Sequence, residues 1–218
     1  MHIRAIFFDV DETLVYYDVA NLHEKLRELI EGVIKRLNLN MEYSDFEKMV
    51  RLEVPRTYVK EFGVDPIKFW RKIDEAIMSF RRDLAKKGLI KAYADTEVLK
   101  LIDMPLAAIS NASTEATEFV LKLTRLKKYF KVIQGKDYRN IDGCKPSPYL
   151  ILKVSRMLGV RPEEVMVVGD SMLDILAARR ANAIAVHIKR SNKEIPEANI
   201  TIESLYELLK ILEDYSIK

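Results

Sequence analysis

The sequence predicts an α/β protein, a Rossmann-like, mostly parallel sheet core with an inserted all-helical domain. Three observations lead there. From Ala92 onward short apolar runs alternate with helical patterns, which is the grammar of right-handed βαβ units. A strand-like run, Ile3 to Phe8, stands apart from that alternation at the start of the chain. Between the two, residues 17–91 carry apolar residues at spacings of three and four, the period of amphipathic helices. The expected division is an α/β core from 1–16 with 92–218, and a helical domain over 17–91, inserted directly after the first strand.

The elements follow in order. Ile3, Ala5, Ile6, Phe7 and Phe8 form a buried first strand ending at Asp9. Asp18 is the expected N-cap of a helix whose apolar face is Val19, Leu22, Leu26, Leu29, Val33 and Leu37. Ser44 and Glu47 have the spacing of a capping box, and Pro55 is expected to end or bend the helix they start near Val54. Asp65-Pro66 places a cap before a proline at the first helical position. Trp70, Ile73, Ile77, Phe80 and Leu84 then make a stripe that stops at Gly88. In the core, strands are expected at 106–109, 130–133, 165–168 and 183–188, with an edge strand near 199–202. Helices are expected near 96–103, 114–126, 147–158, 172–181 and 203–214.

Composition narrows the function classes. A net charge of +3 over 218 residues is too small for a nucleic-acid-binding face. No run approaches the roughly 20 apolar residues of a membrane span. The single cysteine, Cys144, excludes an intramolecular disulfide and suits a reducing compartment. The acids at 9 and 11 interrupt the N-terminal apolar run before a signal-peptide core forms, so a cytoplasmic protein is expected.

Four expected strand ends or loops carry chemistry-bearing residues. Phe8-Asp9-Val10-Asp11-Glu12-Thr13 brings two carboxylates and a hydroxyl to the end of the first strand. Ser110-Asn111 ends the second core run, and Lys145 stands in a loop between Gly143 and the prolines 146 and 148. Gly169-Asp170 ends a further strand, with Asp174 one helical turn later. Taken singly, each has a bland explanation: Asp170 as a helix cap, Lys145 on the surface, Ser110 in a turn. Together they meet the demands of phosphoryl transfer. Clustered carboxylates raise one another's pKa unless a cation is present, and Mg²⁺ prefers carboxylate and other oxygen ligands. A transferring phosphoryl group further needs donors around its equatorial oxygens.

On these residues the sequence resembles the haloacid dehalogenase-like hydrolase superfamily, in the subfamily with a helical cap after the first motif. The Asp-x-Asp-x-Thr-Leu box is Asp9 to Leu14, followed in order by Ser110, Lys145 in Lys-Pro-Ser-Pro, and Gly169-Asp170-Ser171-x-x-Asp174. The resemblance implies Asp9 as nucleophile, Asp11 as general acid and base, and Thr13, Ser110, Asn111 and Lys145 around the phosphoryl oxygens. It implies Mg²⁺ held by Asp9, the Asp11 carbonyl and Asp170, with Asp174 as ligand or supporting partner, and a small phosphorylated metabolite as substrate. Two positions depart from the common pattern. Glu12 and Asn182 stand where glycine is frequent, and a positive φ at Glu12 would be strained.

Asp11 decides among activities of the superfamily. An alkoxide leaving group profits from general acid help, whereas a departing halide needs none. A phosphatase is therefore expected rather than a 2-haloacid dehalogenase. A phosphomutase would share both aspartates and differ in groups on the helical domain. A receiver-like phosphoacceptor protein also uses acids, a hydroxyl and a lysine, but has no helical insertion after its first strand.

Overall fold

The computed structural model describes residues 2–216. In chain order its elements are β1 (Ala5–Phe8), β2 (Val15–Tyr17), α1 (Leu22–Arg36), α2 (Tyr43–Arg51), α3 (Pro66–Lys86), β3 (Ile90–Ala92), β4 (Leu106–Ser113) and α4 (Thr114–Leu123). They continue with β5 (Phe130–Lys136), α5 (Tyr149–Leu158), β6 (Val165–Gly169), α6 (Met172–Arg180), β7 (Ile184–Ile188), β8 (Ile200–Ile202) and α7 (Glu207–Ser216). Among the described residues, six strands form one sheet in the order β5-β4-β1-β6-β7-β8. Every neighbouring pair in it is parallel. This is the Rossmann-like α/β class expected.

The chain separates into two compact units. One comprises the residues up to Tyr16, Lys91–Lys136 and the chain from Gly143; the other comprises Tyr17–Ile90 and Asp137–Asp142. In the α/β unit β1, β6 and β7 are buried at every position, as parallel strands covered on both faces must be. Phe7, Ile109, Val165 and Val167 pack with Ile151 and Val154 of α5 and Ile175, Ala177 and Ala178 of α6. The order of the sheet has a consequence for ligands. From β1 the chain reaches β4 on one side and β6 on the other, and such a reversal opens a crevice beyond the carboxyl ends of the strands.

The helical unit has its own core, in which Ile30, Val33 and Ile34 of α1 meet Phe46 and Met49 of α2 and Phe69, Trp70 and Ile73 of α3. Burying each such side chain is worth about 1.5–3 kcal/mol. Tyr138 and Ile141 pack against this cluster, the Tyr138 hydroxyl donates to Asp74, and Asp142 accepts from the Thr57 amide and hydroxyl at 3.1 and 3.0 Å. Those contacts place Asp137–Asp142 in the helical unit, although by sequence they belong to the second part of the α/β core. Arg56 is buried, its guanidinium 4.6 Å from the centre of the Trp70 ring.

Several local expectations need correction. Helix α1 begins at Leu22 behind Asn21, which has φ 55° and no side-chain cap; Asp18 instead donates its amide to Leu89. The capping box of α2 pairs Glu42 with Asp45, not Ser44 with Glu47. The region expected as a helix at 96–103 is a 3-10 run, Ala94–Leu101, and a second 3-10 run, Arg56–Phe62, was not expected. Neither was the two-stranded sheet of β2 and β3. Asp65 caps α3 as expected, accepting the Lys68 amide at 2.7 Å. No helix among the described residues is long and apolar enough to cross a membrane.

Candidate active site

The ends of β1 and β6, the irregular second half of β4 and one loop of the α/β unit build a single site. Asp9 directly follows β1 and its amide donates to Val168 of β6 at 2.9 Å, so the carboxylate leaves the sheet between its two central strands. Lys145 is almost wholly buried, and its ammonium donates to Asp9 Oδ1 and to Asp174 Oδ1, both at 2.5 Å, and to the Ile109 carbonyl at 3.2 Å. Carboxylate oxygens of Asp9, Asp170 and Asp174 lie within 4.8 Å of one another. A cavity of about 250 Å³ opens onto them, lined also by Asp11, Glu12, Ser110, Asn111 and Lys145.

Local structure explains each placement. The pairing of β4 with β5 loses its register between Ile109 and Ser113, and such irregularities re-aim side chains. There the Ser110 hydroxyl accepts the Ala112 amide at 3.0 Å. Asn111 is committed to the lysine loop: its amide nitrogen donates to the Lys145 carbonyl and its oxygen accepts the Lys145 amide, each at 2.8 Å. The Lys145–Pro146 peptide is cis, and Arg180 of α6 donates to the Pro146 carbonyl at 2.9 Å. Sequence reasoning missed Arg180, because a basic residue in the last turn of a helix is the ordinary case. Thr13 is fully buried and its hydroxyl donates to Asp170 Oδ1 at 3.1 Å; it is not among the residues lining the cavity. Asp170 is not the cap of α6, because Ser171 and Asp174 form that capping box.

A larger cavity of about 520 Å³ lies in the helical unit, but its Arg27 and Glu31 are exposed and paired with each other at 2.8 Å. Nothing there matches the convergence of acids at the strand ends.

The profile of the haloacid dehalogenase-like hydrolases matches residues 3–182. The chain belongs to that family. Relatives of this hydrolase along its whole length include the phosphoglycolate phosphatase of Aquifex aeolicus, 28% identical with 99% of each chain covered. The pyrophosphatase PpaX of Oceanobacillus iheyensis is 27% identical over 98% of this chain and 99% of its own. A solved structure of CbbY from Rhodobacter sphaeroides in complex with phosphate has the same fold, with a TM-score of 0.68 at 21% identity, covering 94% of this chain and 96% of that one.

The hydrolase's own electrostatics show what its acids lack. Burial pushes the Asp9 carboxyl well above the ordinary range, against the pull of Lys145, and Asp174, Asp170 and Asp11 push it further. Burial and then Asp174 raise Asp170 to about 7, while the Thr13 hydroxyl resists. Burial alone would depress Lys145, but Asp174 and Asp9 outweigh it and hold the ammonium charged. One ammonium among these carboxylates leaves negative charge in excess, and the three clustered acids offer hard oxygen donors. That donor set fits a small divalent cation such as Mg²⁺.

Proposed function

We propose that this hydrolase is a Mg²⁺-dependent phosphatase that cleaves a small phosphate monoester through an aspartyl-phosphate on Asp9. The observation that carries the reading is Lys145 bridging Asp9 and Asp174 in the wall of a cavity that Asp11 and Ser110 also line. Asp9 Oδ attacks phosphorus, the new O–P bond forming as the bond to the ester oxygen breaks. Asp11 gives its proton to the departing alkoxide, and then takes one from the water that attacks the aspartyl-phosphate and releases phosphate. Lys145 and Ser110 donate to the phosphoryl oxygens, and Lys145 favours the ionised, nucleophilic form of Asp9. Asn111 acts through Lys145, whose main chain it holds from both sides. Mg²⁺ would be held by Asp9, Asp170 and Asp174 with the Asp11 carbonyl, and would neutralise charge on the phosphoryl group.

A phosphorylated metabolite of the size of phosphoglycolate or pyrophosphate, which give the relatives their names, is the natural class to test first. The single cysteine, Cys144, is buried, which suits work in the cytoplasm. Asp9→Asn and Asp11→Asn are expected to remain folded and to lose p-nitrophenyl phosphate hydrolysis by at least about 1,000-fold for Asp9 and 100-fold for Asp11. Undiminished turnover in either variant would sink the assignment of that residue. A screen of phosphorylated metabolites with and without Mg²⁺ tests substrate class and metal need together.

A further inference from the structure

The turn that follows β1 satisfies much of itself. Leu14 and Val15 donate their amides to the Val10 carbonyl at 3.0 Å each, and Glu12 donates to Val15 at 2.7 Å. Glu12 takes φ 60° to close it. The Leu14 carbonyl accepts the Tyr93 amide at 3.0 Å. The Thr13 carbonyl faces Arg190, which donates to it from Nε at 3.2 Å and from Nη2 at 2.8 Å.

Arg190 lies just beyond β7, two strands from β1 in the sheet order. At about 4.8 Å per strand, reaching the turn needs a long side chain. Its fork is fixed from every side. Asp95 accepts from Nη1 and Nη2 at 2.9 and 2.8 Å, and is itself held by the Leu205 amide at 2.9 Å. The guanidinium lies 3.8 Å from the centre of the Tyr93 ring, whose hydroxyl donates to Glu12 at 3.4 Å. A lone surface ion pair would contribute little; here both side chains are nearly buried, and the planar, five-donor guanidinium matches carboxylate and carbonyl at once, which a lysine cannot do.

We propose that Arg190 is a positioning residue for catalysis: by holding the Thr13 carbonyl it fixes the turn that presents Asp11 to the cavity and keeps the Thr13 hydroxyl on Asp170. The catalytic half of this rests on the phosphatase reading above; the ordering half does not. Nothing in the family motifs includes Arg190, Asp95 or Tyr93, since they are distant in sequence from each box.

The test compares wild type with Arg190→Met and Arg190→Lys by hydrogen exchange of the peptide spanning residues 9–16, by melting, and by kcat and KM for p-nitrophenyl phosphate well below the melting transition. Arg190→Met is expected to speed exchange of the Leu14 and Val15 amides at least tenfold and to lower kcat at least tenfold, with KM changed less than threefold. Arg190→Lys, which can reach the carbonyl with a single donor, recovers part of both. Unchanged exchange in folded Arg190→Met overturns the proposal, and so does faster exchange with unchanged kcat, which a merely structural role would give. If Arg190→Met does not fold, Asp95→Asn replaces it: the fork keeps Thr13 but loses its anchor, and intermediate exchange and kcat are expected, wild-type values overturning the idea. Should wild type itself fail to hydrolyse the ester, the phosphatase reading falls while the exchange comparison still judges whether Arg190 orders the turn.

Discussion

Gly169 illustrates how closely single residues constrain this site. A Cβ built on it would lie 2.4 Å from Asp174 Cβ and Cγ and 2.7 Å from its Oδ2. Asp174 has nowhere to retreat, because it is buried, held by Lys145 at 2.5 Å and by the Ser171 hydroxyl at 2.5 Å. Gly169→Ala is therefore expected to displace Asp174 and with it Lys145. Overpacking of this kind costs about 1–3 kcal/mol, so the variant should melt earlier and lose most of its turnover. Wild-type activity in that variant would show that the Asp174–Lys145 contact is dispensable. Glu12 and Asn182 show the converse, residues tolerated where glycine is freer. Both have φ 60°, and for asparagine at the end of α6 the cost is small. For Glu12 the left-handed backbone is a local strain that the bonds of its turn hold in place.

At the scale of elements, the convergence of Asp9, Ser110 and Asp170 on one cavity was readable in the sequence, because apolar runs that lead into them mark the carboxyl edge of a parallel sheet. What was not readable depends on partners remote in the chain. Val15–Tyr17 and Ile90–Ala92 are too short for a period to show, and become strands by pairing with each other. Asp137–Asp142 looks like core loop until Asp142 meets Thr57 and Tyr138 meets Asp74. Asp18 and Ser44 were plausible caps, but a cap is defined by where its helix starts, and α1 and α2 start at Leu22 and Tyr43. The cap of α3 could be read because Pro66 pins the start. Removing it offers a measurement confined to one element. Asp65→Ala leaves the Lys68 amide without its 2.7 Å acceptor, which typically costs about 1 kcal/mol. A lower denaturant midpoint at unchanged slope is the expected outcome, and no change would mean that water serves the amide equally well.

For the molecule as a whole, the acids that make the site are a liability that a cation should relieve. In the chain without metal, burial and Asp174 raise Asp170 from an ordinary 3.8 to about 7, and Asp9 is displaced in the same direction. A carboxyl whose folded value lies above its unfolded value binds protons more tightly when folded, so its contribution to stability is whole below pH 3.8 and is lost as pH rises through about 7. Folding without metal should therefore weaken across that window. A divalent cation binds the ionised form of these carboxylates and competes with protons for them, and any ligand that binds only the folded state stabilises it by mass action. Melting followed at pH 5 and pH 8, with Mg²⁺ and with a chelator, is expected to show the larger Mg²⁺-induced rise at pH 8. Asp170→Asn removes one charge from the cluster and one proposed ligand from the cation, so it should raise the melting temperature in chelator at pH 8 and diminish the response to Mg²⁺. An equal Mg²⁺ shift at both pH values, or one that Asp170→Asn leaves intact, would separate the metal from these carboxylates and remove the reason for burying them together.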